Sequence, residues 1–125
     1  MRAVIYAKAL AGKSAQAQVS TLRRLCQKRG WIVAEVYVDP PVRPPKLASG
    51  KARVSLIDAL LRRKNHFGAV CVWRLSMLGN CIDDLLWMLD EVHVRRDIHV
   101  VAPGDNLDTT TDDSLKKVLK ALARV

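Results

Sequence analysis

No apolar run in the sequence approaches the roughly 20 residues that a membrane-spanning helix requires, so no membrane partner is expected. The N-terminus, one Arg followed by a short β-like run, has neither the apolar stretch nor the small-residue cleavage site of a signal peptide. Export is not expected. Cysteine is scarce: Cys26, Cys71 and Cys81 form no Cys-x-x-Cys pair and leave one over in any disulfide scheme. They suit a reducing cytosol as small core side chains, and a cytoplasmic location is expected. His66, His93 and His99 lack metal-ligand spacing, and no cysteine or carboxylate cluster joins them. A Gly-x-Gly-x-x-Gly string is also missing, and Gly12-Lys13-Ser14 lacks the earlier glycine of a phosphate-binding loop. Neither a metal nor a nucleotide nor any other cofactor is expected.

What is present is one domain's worth of chain, 125 residues, half of them apolar. The net charge of +9 favours a polyanionic partner, chiefly nucleic acid or an anionic membrane surface, and does not choose between them. The charge is uneven. Residues 1–75 carry fifteen Lys and Arg against Glu35, Asp39 and Asp58, whereas residues 76–125 carry six against nine Asp and Glu. One strongly basic face would follow, although solvated helix faces would give the same count.

Apolar periodicity places the elements. Residues 2–8 read as a strand, and Val19, Leu22, Leu25 and Cys26 put residues 15–29 on a helical period, with Gly30 at its C-terminal cap and Ser14 as a candidate N-cap. Residues 31–38 alternate as a second strand. Four of the five prolines then fall within 40–45, which predicts a loop over 39–52. Residues 53–64 repeat the helical period, 68–73 form a continuous apolar run suited to a buried strand, and 74–80 turn away from it. Residues 82–95 form a broad apolar stripe beside Asp83, Asp84, Asp90 and Glu91, predicting a third helix. A fourth strand over 98–102, a loop over 103–111 and a last helix capped by Asp112 or Asp113 complete the chain. Strands alternating with helices of this length predict an α/β fold, a mostly parallel sheet of four or five strands flanked by helices in one domain over 1–125. Its chemistry is expected beyond the carboxyl ends of the strands.

Several local strings lie at those ends. The first strand closes as Val4-Ile5-Tyr6-Ala7-Lys8-Ala9-Leu10, and Gln18 follows in the first helix. Gly30-Trp31 opens the second strand, Asp39 ends it, and Arg53-Val54 begins the next helix. The third strand runs into Trp73-Arg74-Leu75-Ser76-Met77-Leu78-Gly79-Asn80-Cys81, and Asp108-Thr109-Thr110-Thr111 precedes the last helix. In this order, across nearly the whole chain, they resemble the N-terminal catalytic domain of the serine recombinases, the resolvases and DNA invertases. That family opens with Tyr-x-Arg-x-Ser, places Arg-Pro before its second helix, and follows its third strand with Trp-x-Leu-Asp-Arg-Leu-Gly-Arg-Ser.

The departures from the family pattern bear on activity. The resemblance implies a serine hydroxyl that attacks the scissile phosphate and stays joined to DNA, with arginines neutralising the transition state. Leu10 stands at the serine position, and its side chain has no lone pair with which to form the covalent intermediate. Lys8 replaces the neighbouring Arg and loses the bidentate fork. The Asp-Arg pair becomes Ser76-Met77, and the next Arg becomes Asn80. No catalytic residue is therefore expected. Lys8, Gln18, Arg53, Arg43 and Lys46 would form a vestigial phosphate or DNA-binding surface, with Tyr6 and Asp39 in support.

The reading is a recombinase-like domain that does not cleave DNA. It is expected to associate with DNA without sequence preference, to form a homodimer or pair with another recombinase, and to lack a C-terminal DNA-reading module. Two alternatives stand beside it: a recombinase fragment active through a non-standard site such as Ser14 or Ser76, and a protein-interaction domain that binds no DNA. Leu115, Val118, Leu119 and Leu122 of the last helix are candidates for self-association or for ordinary core.

Overall fold

The computed structural model describes residues 1–10, 12–40, 51–62 and 67–122. A five-stranded sheet has the order β2-β1-β3-β4-β5, formed by β1 (Arg2–Lys8), β2 (Ile32–Asp39), β3 (Ala69–Cys71), β4 (His99–Ala102) and β5 (Leu107–Asp108). The first four strands are parallel, and β5 runs antiparallel to β4. The helices are α1 (Ala15–Lys28), α2 (Lys51–Arg62), α3 (Ile82–Leu89) and α4 (Ser114–Leu122). The expected α/β architecture is therefore the observed one.

Burial on both faces explains the unbroken apolar composition of β1, whose residues 3–7 are all buried. Because side chains alternate along a strand, Ala3 and Ile5 meet α1 through Leu22 and Cys26. Val4 and Tyr6 point the other way, into a larger cluster with Leu56 and Leu60 of α2, Met88 and Leu89 of α3, and Leu119 of α4. Each large apolar side chain withdrawn from water in this way contributes about 1.5–3 kcal/mol.

The boundaries have local causes. Ser14 Oγ accepts the Ala17 N–H at 3.1 Å and starts α1. Gly30 ends it with φ +70°, a left-handed value that a residue with Cβ adopts only under strain. The Trp31 N–H then reaches the Cys26 carbonyl at 2.9 Å and the Gly30 N–H reaches Gln27 at 3.1 Å, the paired bonds of a Schellman turn. Asp113 offers its backbone carbonyl to the Lys117 N–H as the first helical bond, while Asp112 Oδ1 accepts the Ser114 N–H at 2.9 Å, the side-chain bond at the start of α4.

Three elements differ from expectation. Strand β3 is shorter than the apolar run 68–73, because Gly104 donates to the Trp73 carbonyl and the chain turns there into a 3₁₀ turn, Leu75–Leu78. The expected helix over 82–95 is α-helical only to Leu89 and continues as a π turn, Asp90–Val94, closed by the Arg95 N–H on the Asp90 carbonyl. This wider turn buries both Val92 and His93, and His93 Nδ1 lies 2.9 Å from the Ile98 carbonyl. Within the expected loop 103–111, Leu107 and Asp108 pair with β4 as a short edge strand.

Candidate functional site

Parallel strands bring the carboxyl ends of β1 and β2 side by side, with Lys8 in register with Asp39. The Asp39 carboxylate is only 2% exposed and carries three hydrogen bonds. Tyr6 Oη donates to it at 2.7 Å, and the Ala52 and Arg53 N–H groups at the start of α2 donate at 2.9 and 3.1 Å. One carboxylate thus joins β1, β2 and the α2 N-terminus, where the helix dipole favours negative charge. Burial, then the bond to Asp39, pushes the Tyr6 hydroxyl well above its ordinary pKa, so it remains a proton donor.

Arg53 extends this network across the edge. Its Nε donates to the Leu78 carbonyl at 3.1 Å, and its Nη2 pairs with the Asp84 carboxylate at the start of α3. Asp84 Oδ2 also accepts the Asn80 N–H at 2.9 Å. The guanidinium therefore clamps α2 to the turn following β3, and the side chain is almost wholly buried.

Gln18 is fully buried beneath the segment after β1. Its Nε2 donates to the carbonyls of Lys8 at 2.6 Å and Lys13 at 3.3 Å, and its Oε1 accepts the Lys8 N–H at 3.3 Å. Leu10 and Lys13 exchange backbone hydrogen bonds at 2.9 and 3.0 Å around a tight turn in which Gly12 has φ +80°. Lys13 Nζ lies 3.9 Å from the centroid of the Trp73 ring, a cation–π contact that fixes the turn against the end of β3. The Leu10 side chain is half-buried and packs on the larger core cluster.

The sequence-selected positions are thus placed as follows. Tyr6, Gln18, Asp39 and Arg53 converge on the carboxyl edge and are hydrogen-bonded there, with Lys8 half-buried beside them. Met77 turns into the core, while Ser76 and Asn80 are exposed. Arg43 and Lys46 lie outside the described residues. Three contacts escaped the sequence reading: Asp84 on Arg53, Lys13 on Trp73, and Asp105, which accepts the Leu75 N–H at 2.6 Å. An acid in the first turn of α3 was the available signal for Asp84. Nothing in the local sequence pairs Lys13 with a ring sixty residues away. Among the described residues no group of three or more His, Cys, Asp or Glu is arranged to hold a metal.

The strand order and the buried Tyr6, Asp39 and Arg53 network at the carboxyl edge define an α/β domain built on a mostly parallel sheet. The family model described as Resolvase, N terminal domain matches residues 7–125, and the chain belongs to that family. Solved structures agree on the fold. The N-terminal catalytic domain of TP901-1 integrase superposes with a TM-score of 0.79 at 23% identity, covering 99% of this chain and 95% of that one. A resolvase family site-specific recombinase from Streptococcus pneumoniae gives 0.73 at 19% identity, over 99% of this chain and 86% of that one. The C-terminal catalytic domain of ISC1926 TnpA, an IS607-like serine recombinase, gives 0.64 at 19% identity, over 98% and 78%. Comparison with curated proteins gives no match.

Proposed function

We propose that this domain is a serine-recombinase fold that has given up strand cleavage and acts in the cytoplasm by associating with DNA and with a second recombinase-fold chain. The observation that carries the reading is Leu10. Its carbon side chain packs on the core at the position where the family resemblance puts the nucleophilic hydroxyl, and no rotamer gives it a lone pair. Met77 and Asn80 remove two further cationic positions, in a reaction class that depends on preorganised positive charge. The remaining hydroxyls support the same view. Ser14 Oγ is held as the N-cap of α1, and Ser76 is exposed in the turn that buries Met77 and Leu78.

Association with a second chain is supported by exposed apolar side chains on neighbouring helices. Trp87 of α3 and Val118 and Leu122 of α4 are each about half exposed, and Leu86, Trp87, Asp90, Leu119 and Leu122 line a shallow groove of about 270 Å³. Buried between two copies, such side chains would leave water with a gain of about 25 cal/mol per Å². Light scattering at tens of micromolar should give a dimer mass, and a monomer mass would remove this part of the reading.

An electrophoretic shift with supercoiled and linear DNA over a salt series, with denaturing gels of the same samples, tests the whole. Retarded, uncut DNA whose binding weakens with salt is the expected result. A DNA–protein adduct that survives denaturation would overturn the loss of cleavage.

A further inference from the structure

Helix α1 lies against β1 and β2 through Leu22 and Cys26 and turns a strongly basic side outward. Arg23, Arg24 and Lys28 are exposed on it, and the helix contains no acidic residue. Thr21, Arg24, Leu25 and Lys28 follow one another at helical spacings of three and four, so they form a single ridge. Together with Arg29 they line a groove of about 500 Å³ along the helix flank. The carboxylate that approaches this end of the helix, Asp108 on β5, is already paired with Arg29 and with Thr110. Burial works to raise its pKa, but the bonds from Arg29 and Thr110 outweigh it and hold Asp108 ionised below its ordinary value. Arg29 is fixed further by Thr110 Oγ1 at 3.2 Å and by the Trp31 ring 4.9 Å beneath its guanidinium. One cation is therefore anchored and neutralised, and Arg23, Arg24 and Lys28 stand beside it without ion-pair partners among the described residues.

We infer that this flank of α1 is a docking surface for the phosphate backbone of nucleic acid, on a face of the sheet separate from the Tyr6, Asp39 and Arg53 network. The inference rests on the DNA association proposed above and gives it a location. The chemistry favours a phosphate strand over other anions. Arg24 and Lys28 have Cβ atoms about 5–6 Å apart, and their flexible heads span neighbouring phosphates, which rise about 3.4 Å apiece along one strand. Thr21 adds a hydroxyl donor at the groove wall. An anionic membrane is a poorer match, because insertion needs large exposed apolar side chains and α1 presents none.

The test compares wild type with the triple variant Arg23→Gln, Arg24→Gln, Lys28→Gln, and with a charge-matched control, Arg62→Gln, Lys117→Gln, Lys120→Gln. All six side chains are exposed, and circular dichroism is to be recorded to check that each variant folds. Binding of a 20-base-pair duplex of arbitrary sequence is followed by fluorescence anisotropy across a salt series. Each lost phosphate contact lowers the slope of log affinity against log salt by about 1, so the α1 variant should lose about 3 and the control less than about 1. Equal slopes for wild type and the α1 variant would overturn the location while leaving DNA association standing. Binding by wild type to phosphatidylserine vesicles but not to the duplex would overturn both.

Discussion

The carboxyl edge of the sheet has two halves that the chain treats in opposite ways. In the supporting half, Tyr6, Gln18, Asp39 and Arg53 are at most 7% exposed, and every one of them is hydrogen-bonded to backbone or to another member. In the half where the proposed reading puts the family's reacting groups, Leu10 and Met77 pack as hydrocarbons, and Ser76 and Asn80 face solvent. Polar groups buried without partners are costly, so a supporting network persists only complete. Positions whose polar groups served an external phosphate carry no such penalty when they become apolar. The difference teaches that the buried hydrogen bonds holding this edge lie in the first half, whereas the second contributes apolar packing through Leu10 and Met77.

That contrast can be broken by substitution. Asp39→Ala removes the acceptor of three hydrogen bonds and leaves buried donors on Tyr6, Ala52 and Arg53, so urea denaturation should show a loss of about 2–4 kcal/mol. A loss below about 1 kcal/mol would mean that the network does not hold the edge together. Gln18→Leu keeps the volume and strips the bonds to Lys8 and Lys13, with an expected loss of about 1–3 kcal/mol by the same measurement. In the other half, Leu10→Ser should cost only about 1 kcal/mol, because the side chain is half-buried and part of its area is already in water. A cost equal to that of Asp39→Ala would erase the distinction between the halves.

A smaller effect sharpens the comparison from the opposite end of the sheet. His93 is buried with its Nδ1 on the Ile98 carbonyl, near Lys116, Asp97 and His99, and burial, aided by the Lys116 charge, lowers its pKa from the ordinary 6.5. The unfolded chain therefore takes up the proton first as pH falls. Stability is fully present above pH 6.5 and is lost as pH drops from there toward the lower folded value. Melting temperature should fall between pH 7.5 and 5.5 by more in wild type than in His93→Leu, and equal falls would remove His93 as the cause.

Much of this was legible in sequence because the signals are local. The β-like run Arg2 to Lys8 and the helical period of Leu22, Leu25 and Cys26 mark a strand and a helix directly, and Ser14 and Gly30 announce the ends of α1. The strings around Lys8, Asp39, Arg53 and Trp73 located the edge because a parallel sheet brings strand ends together whatever the intervening chain does. What stayed hidden depends on tertiary distance. Asp84 reads as one acid on a polar helix face until α2 brings Arg53 to it, and Lys13 meets Trp73 only after the turn at Leu10 closes. The π turn at Asp90–Val94 is invisible to a period count, because the extra residue per turn shifts the apolar stripe without ending it.

On the proposed function the supporting half remains while the reacting half is gone, and the most direct test is to give the nucleophile back. Leu10→Ser and wild type should be incubated with supercoiled plasmid, denatured, and examined for nicked DNA and for a phosphoserine-linked adduct by mass spectrometry. Neither protein should yield nicks or adduct, since a hydroxyl alone does not replace the cationic groups missing at Met77 and Asn80. Cleavage by Leu10→Ser alone would show that the edge still holds a working phosphoryl-transfer site, and cleavage by wild type would contradict the account outright.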